Sequence, residues 1–258
     1  MPSTEITPSF AALPERGLIR VSGEDAFKFL QNIITNDLSK LIDGQLLHSC
    51  LLTAQGKFLH DFFVSKKDDA YLLDCEGGER AKDLLKRLSF YRLRAKVTLE
   101  LQDNISVYAV FGQREFKDPR HDALGSRVFE KPDLPEVDFA VWNKIRITRS
   151  IADGSRDAEI EKSTLSELNM EESSIDYKKG CYIGQELTAR IHHRGLAKKH
   201  LFPVRFEGDA PPRGTPLFNQ GKTAGDMRSS QGNIGLALLK DEVLPSPTDG
   251  FYMLDINP

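Results

Sequence analysis

The chain has 258 residues, a formal net charge of −3 from 35 basic and 38 acidic side chains, and a hydrophobic share of 40%. This balance is typical of a folded protein and argues against a broadly basic surface, so no direct nucleic-acid partner is expected. The longest apolar run is the five residues 107–111, whereas a membrane-spanning helix needs about 20, so no membrane partner is expected.

The opening residues, MPSTEITPSFAALPERG, show neither the basic-then-apolar pattern of a secretory signal nor the Arg-rich, acid-poor pattern of a transit peptide. The three cysteines, Cys50, Cys75 and Cys181, are odd in number and widely spaced, which does not suggest a disulfide framework. Together with the missing apolar span, these observations predict a cytoplasmic location.

The N-terminal part alternates segments with the periodicities of strands and helices. Residues 17–21 predict a strand, after which Ser22 is placed to cap a helix that runs to about Ile34. Phe27, Leu30 and Ile34 then follow the three-to-four spacing of one buried helical face. The next predicted elements are a hairpin of residues 45–53 and 57–65 that turns at Gly56, a strand at 70–74, a helix at 79–90 and a strand at 95–101.

The order of these elements predicts an α+β fold in three parts. Residues 1–104 form an N-terminal unit with two helices on one antiparallel sheet. Residues 105–199 form a second α+β unit, which begins with a strand at 107–111. From residue 200 the chain changes to short apolar runs between glycine- and proline-containing turns, which predicts a β-barrel over residues 200–258.

The segment 178–195, KKGCYIGQELTARIHHRG, contains the densest group of reactive side chains. Gly180 and Gly184 bracket Cys181 and suit a turn in which the backbone bends sharply or approaches a ligand. Residues 185–193 predict a helix, so Cys181 lies just before a helix N-terminus and beside two lysines, where positive potential favours the thiolate over the thiol. The alternative is a buried structural cysteine in a loop-to-helix turn.

The string KGCYIGQE in this segment resembles the signature of the YgfZ family, folate-binding relatives of the glycine-cleavage T-protein aminomethyltransferase that support iron–sulfur proteins. Two further segments are similar to the T-protein superfamily, TNDL at residues 35–38 and the hairpin turn QGK at residues 55–57. The signature is carried by Lys179, Gly180, Cys181, Tyr182, Gly184, Gln185 and Glu186, followed by Arg190.

The resemblance implies a T-protein-like fold, in which antiparallel sheet-and-helix units surround a central cavity and a C-terminal β-barrel closes it. It implies a folate-binding accessory protein, with tetrahydrofolate or another folate as cofactor, that supports assembly or repair of iron–sulfur clusters in client enzymes. The expected partners are iron–sulfur client or assembly proteins, and a monomer is expected. The family is also described as tRNA-modifying.

The resemblance also implies a site. Asp61 matches the catalytic aspartate of T-proteins, although His60 replaces the aspartate that precedes it there. T-protein-like sequences have a segment whose glutamate faces the pterin. Glu167 matches that glutamate, but its flanking residues differ from the T-protein pattern. Cys181 is the second residue expected to be catalytic. The candidates for folate binding are Asp61, Glu167, Tyr182, Gln185, Arg190 and Arg194.

The chemistry of a folate fits these residue types. A reduced pterin presents a donor-rich edge to which a buried carboxylate can offer acceptors, while the anionic tail of the ligand attracts arginine or lysine. Asp61 or Glu167 would bind the pterin. In the alternative interpretation, Asp61 only satisfies backbone donors and the basic residues form a solvated surface. These basic residues are Arg190, Arg194, Lys198 and Lys199.

Other interpretations concern the histidines near Cys181, which are His192, His193 and His200. A zinc site is disfavoured because the chain has no Cys-x-x-Cys or His-x-x-x-His pair. A nucleophile–base pair of Cys181 with His192 or His193 lacks an evident third residue to orient the base. The alternative function is a tetrahydrofolate-dependent one-carbon (aminomethyl) transferase, in which Asp61 handles the proton on the reacting nitrogen. That chemistry needs no thiol, so the motif around Cys181 favours the accessory role.

Overall fold

A computed structural model describes residues 8–102, 105–113, 115–243 and 249–254. The chain forms two compact units. Unit 1 comprises Met1–Leu51, His60–Trp142 and Ser173–Ile183, and unit 2 comprises Leu52–Leu59, Asn143–Glu172 and Gly184–Pro258. Within the described ranges, no helix combines the length and the apolar character that crossing a bilayer requires. The division into three domains stays a prediction.

Strands dominate the described residues, and the longer helices lie between them. The strands are β1 (Ser9–Leu13), β2 (Arg16–Ser22), β3 (Leu47–Leu52), β4 (Phe58–Lys67), β5 (Ala70–Glu76), β6 (Thr98–Gln102), β7 (Val107–Phe111), β8 (Ser126–Val128), β9 (Glu136–Val137), β10 (Lys199–Arg205), β11 (Pro216–Asn219), β12 (Lys222–Gln231), β13 (Ile234–Lys240) and β14 (Tyr252–Met253). The α-helices are α1 (Ala26–Ile33), α2 (Glu79–Arg92), α3 (Phe139–Thr148), α4 (Glu171–Ser174) and α5 (Gln185–Arg194). Short 3-10 helices are formed by Leu38–Lys40, Asp122–Leu124, Gly154–Arg156 and Asp241–Val243.

Unit 1 contains a five-stranded sheet with the strand order β3-β4-β5-β2-β6. The pairs β4–β5, β5–β2 and β2–β6 are antiparallel. Helix α2 lies on β2, β5 and β6 and buries Ala81, Leu84 and Leu88, which share one face at helical spacing. β4 is buried over its first eight residues, so the polar side chains it carries are fixed within packed surroundings.

A second sheet of unit 1 has the strand order β8-β7-β1-β9. β1 pairs antiparallel with β7 and parallel with β9. The sequence predicted the strand β7 with its observed bounds, because its apolar run stands between polar turns.

Unit 2 contains an antiparallel sheet with the strand order β11-β12-β13-β10-β14. One face of it encloses a small apolar core. This core comprises Val204, Phe206, Leu217, Ala224, Met227, Ala237, Leu239 and Phe251. The predicted change to an all-β chain near residue 200 and the α+β class are therefore confirmed.

Two predictions for α1 are wrong. Ser22 does not cap the helix, because it ends β2 and its Oγ accepts a hydrogen bond from Arg20 at 2.9 Å, while α1 begins only after Asp25. Phe27 is not on the buried face and is 44% exposed. The buried residues of α1 are Ala26, Phe29, Leu30 and Ile33. Both sets satisfy a three-to-four spacing, so only tertiary packing distinguishes the two faces.

Candidate functional site

Asp61, the predicted catalytic aspartate, lies on β4 and is only 4% exposed. Its Oδ2 lies 3.3 Å from Nε2 of His48 on β3, and its Oδ1 makes no hydrogen bond to any described residue. Burial raises the pKa of the Asp61 carboxyl, but the hydrogen bond from His48 and the charges of Arg16 and Arg120 outweigh burial and lower it below its ordinary value. Asp61 is therefore an ionised acceptor with one oxygen left for a ligand.

His48 connects this carboxylate to a hydroxyl group. Burial lowers the pKa of His48 more than the neighbouring Asp61 raises it, so the imidazole is neutral at pH 7. When Nε2–H donates to Asp61, Nδ1 accepts from Oγ of Ser173, which lies 2.9 Å away. The imidazole also stacks on Phe63, with ring centroids 5.0 Å apart. These contacts fix the orientation of the Asp61 carboxylate.

Three arginines lie close to the Phe63 ring. The guanidinium carbons of Arg16, Arg120 and Arg127 lie 5.9, 4.7 and 4.1 Å from its centroid. An arginine over an aromatic face is attracted by the ring quadrupole, and more strongly where water is excluded. Arg16 and Arg120 also supply positive potential near Asp61 and help to keep it ionised.

Two further aspartates neutralise this group of arginines. Asp74 accepts hydrogen bonds from Nε of Arg16 at 2.8 Å and from Nε of Arg127 at 2.7 Å. Asp118 accepts from Nε and Nη2 of Arg120 at 2.9 and 2.8 Å. Burial raises the pKa of Asp118, but Arg120 and Arg127 outweigh burial and lower it. Together with Asp61, these two aspartates balance the positive charges of the three arginines. Buried charges need such partners, because water does not stabilise them there.

The TNDL segment serves as a clamp inside unit 1. Thr35 Oγ1 donates to the carbonyl oxygen of Ser174 at 2.6 Å. Asn36 Nδ2 donates to the carbonyl oxygens of His48 and Ser173 at 2.9 and 3.2 Å. These bonds tie the start of the segment 173–183 to β3 and hold the Ser173 hydroxyl at the imidazole.

Lys179 of the signature anchors the same segment at its other end. It is 7% exposed, and its Nζ donates to the carbonyl oxygens of Gln31, Ile34 and Asn36 at 2.8, 2.6 and 2.8 Å. Carbonyl groups at the C-terminal end of a helix lack intrahelical partners and carry negative potential, so an ammonium group stabilises the end of α1. Burial lowers the pKa of Lys179 to about 8.

Cys181 is exposed, whereas Cys50 and Cys75 are completely buried. Burial raises the pKa of Cys50 well above its ordinary value and raises that of Cys75 to about 12. Neither buried thiol is suited to form a thiolate. Tyr182 is 7% exposed, with Nζ of Lys179 5.3 Å from its ring centroid. The exposure of Cys181 excludes the interpretation of it as a buried structural cysteine, while Lys179 and Tyr182 support the loop that carries it.

The second glycine of the signature permits close packing on the hairpin turn within unit 2. Gly184 and Gly56 have φ angles of +84° and +68°, which residues other than glycine rarely adopt. A Cβ on Gly184 would lie 2.6 Å from the carbonyl oxygen of Thr53 and 3.0 Å from Cα of Gly56. The sequence predicted a sharp bend or an approach to a ligand around Gly180 and Gly184, and the structure places Gly184 against the QGK turn.

The remaining predicted binding residues lie in unit 2. Gln185 is half-buried, whereas Glu186, Arg190 and Arg194 are exposed, and none of these side chains bonds to a described residue. Glu167 differs, because its Oε2 accepts from N–H and Oγ1 of Thr164 at 2.7 and 2.9 Å and so closes a turn. Of the two acids proposed for the pterin, Asp61 is the one with an unengaged oxygen in buried surroundings.

Two of the histidines near the motif, His192 and His200, have acidic partners. His192 Nδ1 lies 3.2 Å from Glu171 Oε2, and His200 Nδ1 lies 2.7 Å from Asp241 Oδ1. In the part of the chain that the structure describes, no group of three or more His, Cys, Asp and Glu residues could hold a metal ion. The nucleophile–base pair of Cys181 with a histidine stays a hypothesis.

The structure thus brings Asp61, the signature residues 179–182 and the TNDL segment into unit 1, with the other candidates in unit 2. Sequence reasoning missed His48 and Ser173. The only signal for His48 is a polar residue inside the apolar strand LHSCLL, and no local pattern marks Ser173.

Two family models match the chain. The GCVT N-terminal domain matches residues 15–115, and the C-terminal β-barrel domain of CAF17 matches residues 198–246. The crystal structure of glycine cleavage system aminomethyltransferase T from Bartonella henselae aligns with a TM-score of 0.75 and 14% identity, over 98% of this chain and 86% of that one. This likeness confirms the T-protein-like fold.

Curated relatives align with nearly the whole chain. The mitochondrial iron–sulfur cluster assembly factor IBA57 of Homo sapiens is 32% identical, over 91% of this chain and 78% of the relative. The corresponding protein of Mus musculus is 31% identical over the same shares. The homolog of Pyricularia oryzae is 31% identical, over 94% of this chain and 74% of the relative.

The predicted cytoplasmic location is wrong. These relatives are all named as mitochondrial proteins, which points to a mitochondrial location. The prediction failed because the spacing of cysteines and the absence of an apolar span do not distinguish one aqueous compartment of a cell from another.

Proposed function

Because the chain belongs to the IBA57 family of iron–sulfur cluster assembly factors, we propose that it is an accessory protein for the assembly of iron–sulfur clusters in client enzymes. Its partners would be iron–sulfur assembly or client proteins. The KGCYIGQE signature supports a function like that of the YgfZ proteins, which it resembles.

The exposure of Cys181 is the observation that carries this proposal. Protein iron–sulfur clusters are held mainly by cysteine thiolates, so an exposed thiol is a group that can contact a cluster or a partner thiol. Lys179 and the TNDL clamp hold the segment of Cys181 by hydrogen bonds to carbonyl groups, which leaves the thiol itself outside the packed core. One thiol supplies one ligand, so a partner would supply the others.

The proposal is tested in cells from which the gene has been deleted. The activity of iron–sulfur enzymes, relative to their protein amounts, should fall and should return when the chain is expressed again. An enzyme of the same compartment that contains no cluster serves as the control. A chain that transfers methylene groups to tetrahydrofolate and restores no cluster enzyme would instead be the one-carbon transferase.

We further propose that unit 1 binds a folate, with the pterin at Asp61. The free Oδ1 of an ionised and nearly buried carboxylate fits the donor-rich edge of a reduced pterin. His48 and Ser173 would hold that carboxylate in place. A bound tetrahydrofolate would supply a carrier for one-carbon units. Arg190 and Arg194, which would bind the anionic tail, stay predictions.

Replacement of Asp61 by asparagine is expected to weaken tetrahydrofolate binding about 10- to 150-fold, because a hydrogen bond to a charged acceptor contributes roughly 1.5 to 3 kcal/mol. Asn has the same shape but offers the ligand no charge. Calorimetric titration of the full chain measures the effect, and Asp69→Asn, an exposed acid at the turn between β4 and β5, is the matched control. Equal affinities of the Asp61 variant and the unaltered chain would contradict the pterin site.

A further inference from the structure

Leu93 follows the last residue of α2 and combines two unfavourable features. Its φ and ψ are +45° and −109°, a combination that residues with a side chain rarely adopt, and its side chain is 87% exposed. Either feature alone is uncommon for a leucine. A strained backbone that holds a large apolar side chain in water indicates that this side chain has a use other than stabilising the fold.

Phe90, in the last turn of α2, is a second exposed apolar side chain near the helix end. It is 77% exposed, and its ring packs edge-on against Tyr91 at a centroid distance of 5.7 Å. Tyr91 and Leu93 also line a groove with Phe29 and Ile33 of α1. The end of α2 therefore presents two protruding apolar side chains, Leu93 at the groove and Phe90 in the last helical turn.

Four cations surround these apolar side chains. Arg92, Arg94 and Lys28 line the same groove, and Lys86 lies one helical turn before Phe90. All four are exposed, and none forms an ion pair with a described residue. The basic–apolar patch is defined as Lys28, Lys86, Phe90, Arg92, Leu93 and Arg94.

Among the described residues that line the groove, the acid is Asp25, whose Oδ2 accepts from the backbone N–H of Lys96 at 2.8 Å and keeps its negative charge. The four cations exceed the one negative charge of Asp25, so the patch keeps a net positive charge, although the whole chain has a net charge of −3. A binding partner of this patch must be anionic and must accept two apolar side chains.

We propose that the basic–apolar patch binds the surface of an anionic lipid bilayer. Leu93 and Phe90 would enter the boundary between headgroups and acyl chains, and the four cations would contact lipid phosphates, a division of roles typical of interfacial segments. Protruding apolar side chains suit a soft bilayer better than a rigid acidic protein surface, which would need a cavity for each. The sequence expectation of no membrane partner rested on the missing spanning segment and did not address a peripheral contact.

Co-sedimentation of the full chain with vesicles tests this proposal. The chain should bind vesicles of phosphatidylcholine and cardiolipin, bind pure phosphatidylcholine vesicles much more weakly, and be released by salt. Arg92→Glu combined with Arg94→Glu should weaken binding about tenfold or more. The matched control, Lys66→Glu with Lys67→Glu at the β4–β5 turn, changes the net charge equally outside the patch and should bind like the unaltered chain.

Leu93→Gly separates lipid binding from folding. Glycine relieves the positive φ, so the thermal midpoint should not decrease, while loss of the leucine side chain should weaken vesicle binding about tenfold. Absence of binding to the cardiolipin vesicles, as expected if the patch served an acidic protein instead, would overturn the proposal. Equal binding of the Leu93→Gly variant and the unaltered chain would also overturn it.

Discussion

Replacement of Cys181 by serine is expected to abolish the restoration of iron–sulfur enzyme activity in cells that lack the chain. The variant should fold normally, because an exposed side chain outside the core contributes little to the free energy of unfolding, within about 0.5 kcal/mol. Serine has a similar size and carries a hydroxyl group in place of the thiol. It therefore offers neither a thiolate for iron nor a sulfur for thiol exchange. Two quantities are measured for this variant, the activity of the client enzymes and the midpoint of unfolding in urea.

Cys75→Ser provides the matched control. Cys75 is completely buried on β5, and its Sγ lies 3.5 Å from the carbonyl oxygen of Gly17. Serine at this position should lower the free energy of unfolding by about 1 to 3 kcal/mol, because a buried hydroxyl is more costly than a thiol. Below its unfolding temperature this variant should still restore client activity. Full activity of Cys181→Ser, or a loss that merely follows its stability, would contradict the functional role of the thiol.

Local patterns of the sequence account for much of the fold. The hairpin of β3 and β4, the helix α2 and the strand β7 were predicted because their periodicity and turn residues are contained within a few neighbouring residues. The buried face of α1 was not predicted correctly, since Phe27 and Phe29 both fit a helical spacing. That choice depends on the tertiary packing of the helix, which periodicity does not describe.

The candidate site, like the fold, was predicted only in part. The signature and Asp61 are visible in the sequence, but their supporting contacts join residues that are far apart in the chain. His48 bonds to Ser173 across 125 positions, and Lys179 bonds to Ile34 across 145. No single-sequence pattern connects such positions. The lysine before Cys181 was therefore interpreted as a source of positive potential, whereas its ammonium group anchors the end of α1.

Asp74→Ala is expected to cause the largest loss of stability among these variants, about 3 to 5 kcal/mol in the free energy of unfolding. The carboxylate of Asp74 is the shared partner of Arg16 and Arg127, whose side chains are only 10% and 2% exposed. Without it, two guanidinium groups remain buried with too little negative charge beside them. Removal of one partner from a buried ion pair costs more than the pair itself contributes, because water cannot replace the lost charge.

Urea unfolding of the full chain measures this loss, with Glu79→Ala as the control. Glu79 also forms an ion pair, with Lys82, but those side chains are 87% and 63% exposed, so its removal should leave the unfolding midpoint nearly unchanged. Equal midpoints of the two variants would mean that solvent reaches the arginines around Phe63. The orientation of His48, which stacks on that ring, would then need another cause. A large loss confined to Asp74→Ala would instead establish that a dry, charge-balanced interior supports the Asp61 carboxylate.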